Sequence, residues 1–508
     1  MNKKSKMMQS GLALIVALGM LLAGCGAKNE GGATDSKTSP TTKNGKDLAP
    51  YEVTMAFFGS EQKDLQAVQD EMNKILKEKI NTTVKLTPIS ISAWQQQTNL
   101  MLAGNEKIDL MFTSAGFNYG TQVAKGQLVQ LDDLVEKYGS GIKKALEPYQ
   151  LSAAKINGKS YAIPAVKDMA SDYGILMRKD LVDKYKIDLS KIKSINDLDA
   201  VFQTIKDNEP NMVPLVAKNP GTGPFYAGYV LYDSLSGGIG VLPDYDNNMK
   251  VVNWYETAQY ADQLNVLRKW YQSGYLLKDA STSKQDGREL VKNGKAFAYF
   301  SNLKPDSDVE ASRKSGKEMT VVRLTPAYAT TDMITSMMWS VPKNSEDPDR
   351  AMMVLNLLYS DKQLYNLFAW GIEGKHYVKK SENVIDYPAG VDITNTGYNF
   401  GTPYMFGNQF LSYTWSTGDP DIWKKTDQFN KGAKKSKALG FIFDVEKVKT
   451  EMAAVNNVLT EYVVGLETGT LDPAENLPKF IAKLKSAGID NIISEKQKQL
   501  DEWAKTQK

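Results

Sequence analysis

The stretch EVTMAFFGSEQKDLQAVQDEMNKILKEKINTTVKLTPISISAWQQQTNLMLAGNEKIDLMF, residues 52–112, decides the fold class. Its opening EVTMAFF (52–58) is a short apolar run of the kind that a buried strand carries. Leu65, Val68, Met72, Ile75 and Leu76 follow at steps of 3, 4, 3 and 1, one face of a helix over 61–79. A second strand is predicted at 83–88 and a second helix at 92–103, stopped by Gly104. IDLMF (108–112) is a third strand. Strands alternating with helices build βαβ units and a mostly parallel sheet, with ligand-facing loops at the strand carboxyl ends. The class is α/β.

Beyond this stretch, short extended runs are predicted at 160–164 and 174–177, followed by helical patches around Leu181 and Leu198. NPGTGPF (219–225) is a turn-rich loop. Tyr260, Leu264, Leu267 and Trp270 share one face of a helix over 259–270, which makes Trp270 a core residue. A strand at 297–300 and helices at 349–359 and 362–370 complete the middle. Near the end, Val445, Val448, Met452, Val455, Leu459, Tyr462, Val463 and Leu466 hold one helix face, with Asp444 at the N-cap and Gly469 as the stop. Two further helices are expected near 478–487 and 495–505.

The amino terminus reads as an address. Lys3, Lys4 and Lys6 precede the apolar run GLALIVALGMLLA (11–23), whose thirteen residues rise about 20 Å as a helix, short of a membrane core. This is a secretory signal segment over 1–24, and LAGC (22–25) looks like a bacterial lipobox. Cys25, the one cysteine, is the expected lipidation site, and its acyl chains would anchor the chain outside the cytoplasmic membrane. Residues 25–50 are rich in Gly, Ser, Thr, Lys and Asn, and are expected to be a flexible tether.

Composition then excludes several chemistries. The 508 residues are 42% hydrophobic and 24% charged, with 62 Lys plus Arg against 59 Asp plus Glu. Removing residues 1–24 takes away three lysines and leaves 59 against 59, with no basic field for nucleic acid. One Cys and one His forbid an internal disulfide, a Cys/His zinc site and a two-His metal motif, so neither a metal nor a cofactor is expected. A hydrolase triad would have to use His376, which reads as a structural or surface residue. GKS (158–160) lacks a P-loop's first glycine, because Ala153 stands there. Asp244 to Asn248 begins like a calcium loop but has Met249 sixth and Tyr255 twelfth, and reads as an acidic turn. No catalytic residue is assigned. Two carboxylates suited to a glycosidase are not excluded among 59 acids.

The motifs LMLAGNEKIDLMFTSAGFNYGTQVAKGQLVQLDDL (100–134), NGKSYAIP (157–164) with MRKDL (177–181), ELVKNGKAFAYF (289–300) and SVPKNSEDPDRAMMVLNLLYSD (340–361) occur in that order. Together they resemble the family-1 extracellular solute-binding proteins of bacterial ABC importers, the maltose-binding-protein-like cluster. LFAWGIEGKHYV (367–378), FGNQF (406–410), GFIFD (440–444) and AAVNNVLTEYVVGLETG (453–469) resemble the C-terminal domain of unknown function found in LipO-like lipoproteins. The resemblance implies a two-lobe, type II periplasmic-binding-protein-like fold with the ligand cleft between the lobes. Lobe one is expected over 51–170 plus 332–395, and lobe two over 171–331 plus 396–508. It further implies a lipid-anchored monomer that passes a solute to membrane permease subunits.

An oligosaccharide is the expected solute, because sugars want flat aromatic platforms and polar side chains for their hydroxyls. Tyr119, Phe225, Tyr226, Tyr404, Trp415 and Trp423 fall in predicted loops. Phe58 and Ser60 follow the first strand, and Ser114, Phe117 and Tyr119 follow the third, at the ligand-facing ends. The resemblance adds Asp172, the Phe225–Tyr226 pair, Asn302 and Trp415 as cleft residues. The family's tryptophan after AFAYF is absent, with Leu303 and Lys304 in its place, while Trp339 and Glu373 belong to the subgroup's own landmarks. A peptide receptor, a surface glycan hydrolase and a sensor lipoprotein are the alternative readings.

Overall fold

A computed structural model describes residues 48–104 and 106–507; the signal segment, Cys25 and most of the tether lie outside the described residues. The body begins slightly before Tyr51, since the carbonyls of Leu48 and Ala49 accept hydrogen bonds from Asn81 and Arg350 at 2.7 Å each. Among the described residues, no helix is long and apolar enough to cross a membrane.

The first lobe opens with strand β1 (Tyr51–Phe58), helix α1 (Leu65–Ile80), strand β2 (Thr82–Ile89), helix α2 (Ile91–Ala103) and strand β3 (Leu110–Thr113). Strand β4 (Ala162–Pro164) precedes the crossing into the second lobe. That lobe holds strand β5 (Asp172–Arg178), helix α3 (Leu198–Asn208), strand β6 (Val213–Val216), helix α4 (Ala258–Gln272), strand β7 (Ala296–Leu303) and strand β8 (Met319–Arg323). The chain returns through strand β9 (Met338–Ser340), helix α5 (Pro348–Ser360) and helix α6 (Lys362–Trp370). Helices α7 (Lys449–Glu467), α8 (Pro473–Ser486) and α9 (Ile489–Lys505) form the tail.

The first sheet runs β2-β1-β3-β9-β4. The expected parallel pairing holds for β1 with β2 and β3, in the register Tyr51↔Thr82 and Met55↔Leu110. β9 is antiparallel to both β3 and β4, because it re-enters the sheet from the opposite direction. The second sheet runs β8-β5-β7-β6, with β5 antiparallel to both neighbours and β7 parallel to β6.

Three expectations need correction. The long tail helix starts at Lys449, and Asp444 instead accepts from Glu446 N, because Gln499 holds the Asp444 backbone against α9. Helix α8 starts at Pro473, capped by Asp472, and Pro478 lies inside it. The chain path also put 396 onward in the second lobe, yet Tyr398, Met405 and Phe406 are buried in the first core. Phe406 stacks on Phe368 of α6 at 3.9 Å, which holds that segment to the first lobe. The tail helices share a separate core with residues 235–264.

Three crossing segments meet side by side. Ser171 and Tyr328 exchange backbone hydrogen bonds at 2.9 Å, and 328–329 pairs in parallel with 434–435. Ala170, Ala329 and Ala433, one from each segment, form a small buried cluster. Small side chains let three backbones approach closely, and hinge bending is absorbed at a few such connecting residues.

Candidate ligand cleft

A cleft of about 580 Å³ opens beside this triple crossing, lined by the first two crossing segments and the second lobe. Tyr173 leads in from β5, Tyr226 and Tyr229 come from the loop after 219–225, and Tyr232, Tyr245 and Trp254 from the irregular stretch beyond. Tyr260, Gln263, Leu264 and Leu267 face it from α4, Asn302 from β7, and Glu467 from the end of α7. That size suits a small organic ligand, and eight aromatic rings with scattered polar groups make an amphipathic lining.

Trp254 has Tyr232 at 4.6 Å and Tyr260 at 6.2 Å, and Tyr245 stacks on Tyr328 of the crossing at 3.9 Å. Tyr226 is 55% exposed, an open ring face in the cleft. Phe225 is buried against Phe300 and Trp270, so it supports the wall from behind. The Asn302 carboxamide oxygen accepts from Lys218 Nζ at 3.2 Å.

The charged lining is acidic: Asp168, Asp332 and Glu467 against one lysine, Lys167. Burial lowers the Lys167 pKa, and its ammonium donates to the carbonyls of Asp168 and Met333, tying the first two crossings together. Burial pushes Glu467 up to about 7, with the Tyr260 hydroxyl 3.4 Å from its carboxylate. Gly469 seats this helix end: its φ is +71°, and a Cβ there would meet the Leu267 carbonyl at 2.5 Å.

Of the sequence-expected residues, Phe225, Tyr226 and Asn302 come together in this cleft. The others do not line it. Asp172 is buried behind it and held by Arg323 at 2.5 Å; burial raises its pKa and the guanidinium opposes that. Tyr119 is a core residue whose hydroxyl donates to Ala154 at 2.6 Å, because its helix turn faces the first core. Phe58 and Phe117 pack with Phe112 and Trp94 at the carboxyl end of the first sheet's central strands. Ser114 is buried with its carbonyl accepting from Phe117 and Tyr119, and exposed Ser60 binds Gln62. Trp415 lines a neighbouring groove of about 220 Å³ with Trp370, Trp423 and Lys304, and Asp168 borders both spaces. Tyr404 is half-buried against the first core.

Several structural readings are visible directly. His376 is 2% exposed; its Nδ1 accepts from Ile372 N, so Nε2 carries the proton toward Asp64. Trp270 and Trp339 are fully buried, and Glu373 pairs with Lys379 at the surface. Asp244 accepts from Gln259, and Asp246 caps Asn248, so the acidic turn satisfies itself. Among the described residues, no three His, Cys, Asp or Glu gather as a metal would need.

The model of the bacterial extracellular solute-binding protein family matches residues 59–365. The chain belongs to that family. A domain of unknown function, DUF3502, matches residues 437–505 of this solute-binding protein, the segment that supplies Glu467. A carbohydrate ABC transporter substrate-binding protein of Streptococcus pneumoniae serotype 4 is 29% identical over 98% of both chains. Lipoprotein LipO of Bacillus subtilis is 22% identical, over 96% of this chain and 91% of its own. Among solved structures, the N-glycan transport solute-binding protein of Streptococcus pneumoniae superposes with a TM-score of 0.80 at 27% identity, over 91% of this chain and all of that one. The two-lobe architecture expected from the sequence is thus the family's own.

Gln263, Tyr232, Trp254 and Glu467 were missed by the sequence reading. A signal existed for Gln263: it is a polar residue beside the apolar stripe Tyr260–Leu264–Leu267–Trp270, on a helix face that is buried. Glu467 offers none, since a carboxylate in a last helical turn is ordinary on a solvated surface.

Proposed function

We propose that this solute-binding protein captures an oligosaccharide in the cleft and delivers it to the permease subunits of an ABC importer, held to the membrane by lipid on Cys25. The observation that carries the reading is the aromatic wall Tyr226–Tyr232–Trp254–Tyr260, with Asn302, Ser336 and Gln263 as hydroxyl partners. Pyranose rings present apolar C–H faces to such rings, and each buried hydroxyl needs a partner. The N-glycan transport relative and the carbohydrate-binding relative support the same solute class. In this reading, bending at the Ala170–Ala329–Ala433 crossing brings Ser60, Phe117 and the first lobe's edge over the bound sugar, and ligand touching both lobes favours the closed state.

The test is a thermal shift of the protein against oligosaccharides, monosaccharides and short peptides. Ligand at about 100 times its Kd stabilises the fold by roughly 2.7 kcal/mol, a shift of a few degrees. A shift with an oligosaccharide and none with its monomers or with peptides supports the reading. Tyr226→Ala should abolish that shift without lowering the ligand-free Tm, since the ring is mostly exposed. A peptide-only response would replace the sugar with a peptide.

A further inference from the structure

The neighbouring groove of about 220 Å³ shares Asp168 with the cleft, and the end of β7 joins the two: Asn302 lines the cleft and Lys304 the groove. Its walls come from different lobes. Trp370 of α6 and Trp415 pack together on the first-lobe side, with centroids 5.4 Å apart and planes at 88°. The second-lobe wall carries Val309 and Arg313 on the helix Ser307–Ser315, whose buried Ala311 packs on the second sheet. Two of the groove's tryptophans are fixed in advance. The Trp370 and Trp423 indoles both donate to Ser412, to its hydroxyl at 2.9 Å and to its carbonyl at 2.7 Å. Trp415, half-buried, makes no such bond among the described residues, and Arg313 forms no ion pair among them. Val309 is 42% exposed, an apolar side chain left uncovered. Preset rings lose little ordering entropy on binding, and an open indole N–H with an unpaired guanidinium offers donors to hydroxyl oxygens. At the junction Lys304 lies 3.9 Å from Asp168 and 3.5 Å from Glu310, so its charge is matched and a neutral chain suits the passage. The groove is smaller than the roughly 300 Å³ at which self-sufficient small-molecule sites begin, so it fits an extension of the cleft better than a separate site.

We propose that this groove is the distal subsite of the ligand path, so that the solute is a neutral oligosaccharide chain long enough to run from the cleft past Asp168 onto Trp370 and Trp415. A pyranose face lies against the tryptophans, its hydroxyl oxygens accept from Trp415 Nε1 and Arg313, and Val309 covers it from the other lobe. A short sugar confined to the cleft touches chiefly the second lobe and the crossings. A chain that reaches the groove touches a wall from each lobe, so length itself favours the closed arrangement. The inference rests on the oligosaccharide reading.

Calorimetry on the full chain separates the two. The probes are manno-, cello- and galacto-oligosaccharide series, each running from the disaccharide to the hexasaccharide. In a series that binds, the hexasaccharide is expected to bind at least tenfold more tightly than the disaccharide. Trp415→Ala removes the open ring and should bring the two within threefold of each other. Val309→Arg acts from the opposite wall at an exposed position, fills the groove with a long charged side chain, and should do the same with Tm retained. A disaccharide bound as tightly as its hexasaccharide, or a length preference untouched by both variants, overturns the distal subsite and leaves the oligosaccharide reading standing. Every series inert, whether or not a peptide binds, overturns both.

Discussion

Tyr328 of the second crossing segment stacks face to face on Tyr245 of the cleft wall, with centroids 3.9 Å apart and planes 9° from parallel. The hinge and the ligand surface thus share a ring pair. Such a pair contributes about 1 kcal/mol beyond its buried area. Tyr328→Ala should lower Tm by a few degrees and weaken ligand binding in calorimetry. Tyr328→Phe keeps the ring and should restore both, whereas a Phe variant as weak as Ala would mean that the hydroxyl, not the stack, matters.

Asp172, expected at the ligand, is instead clamped by Arg323, whose Nη2 also donates to the Lys304 carbonyl at 2.9 Å. Arg323→Ala leaves a buried carboxylate unpaired. Because the Arg323 side chain is 38% exposed, the cost should be about 2 kcal/mol, below that of a fully buried pair. Urea unfolding should show this loss, and the double variant Arg323→Ala/Asp172→Asn should recover most of it. No recovery would show that Arg323 acts through something other than Asp172.

Lys496 of α9 is 1% exposed and donates to Gly240 at 2.9 Å, near Asp233 and Asp332. Burial lowers its pKa to about 7 and raises that of Asp233 to about 6. Lys496→Met strips the Gly240 carbonyl of its donor and the two acids of their cation, a loss of about 3 kcal/mol. Hydrogen exchange should then rise over both α9 and 233–242. Increased exchange in α9 alone would mean that the lysine does not tie the tail domain to the cleft loop.

Glu467 gives stability a pH slope. Its folded-state pKa of about 7 lies above the ordinary 4.5. Below pH 4.5 both states hold the proton. As pH rises from 4.5 to 7 the unfolded chain loses it first, so stability falls through that window and levels off above it. The drop should be about 3 kcal/mol in denaturant titrations, and Glu467→Gln should remove that part of the slope. An unchanged slope in the variant would refute the burial.

The sequence by itself determined the local elements. Apolar residues at steps of three and four dictate α1 and α4, and the run EVTMAFF dictates β1. These readings succeed because each depends on residues within a turn or two of one another. Tertiary structure decided the rest. Tyr119 and Tyr226 look alike in sequence, yet one hydroxyl reaches Ala154 in the core and the other ring stands in the cleft. Strand β9 runs antiparallel because of where the chain re-enters, and Phe406 joins the first lobe because Phe368 is there to stack on. Tyr260 and Glu467 stand 207 residues apart along the chain and meet only after the tail domain packs on α4. Periodicity tells which face of an element is buried; which distant element covers that face, and which polar atom is left open, follows only from the packed whole.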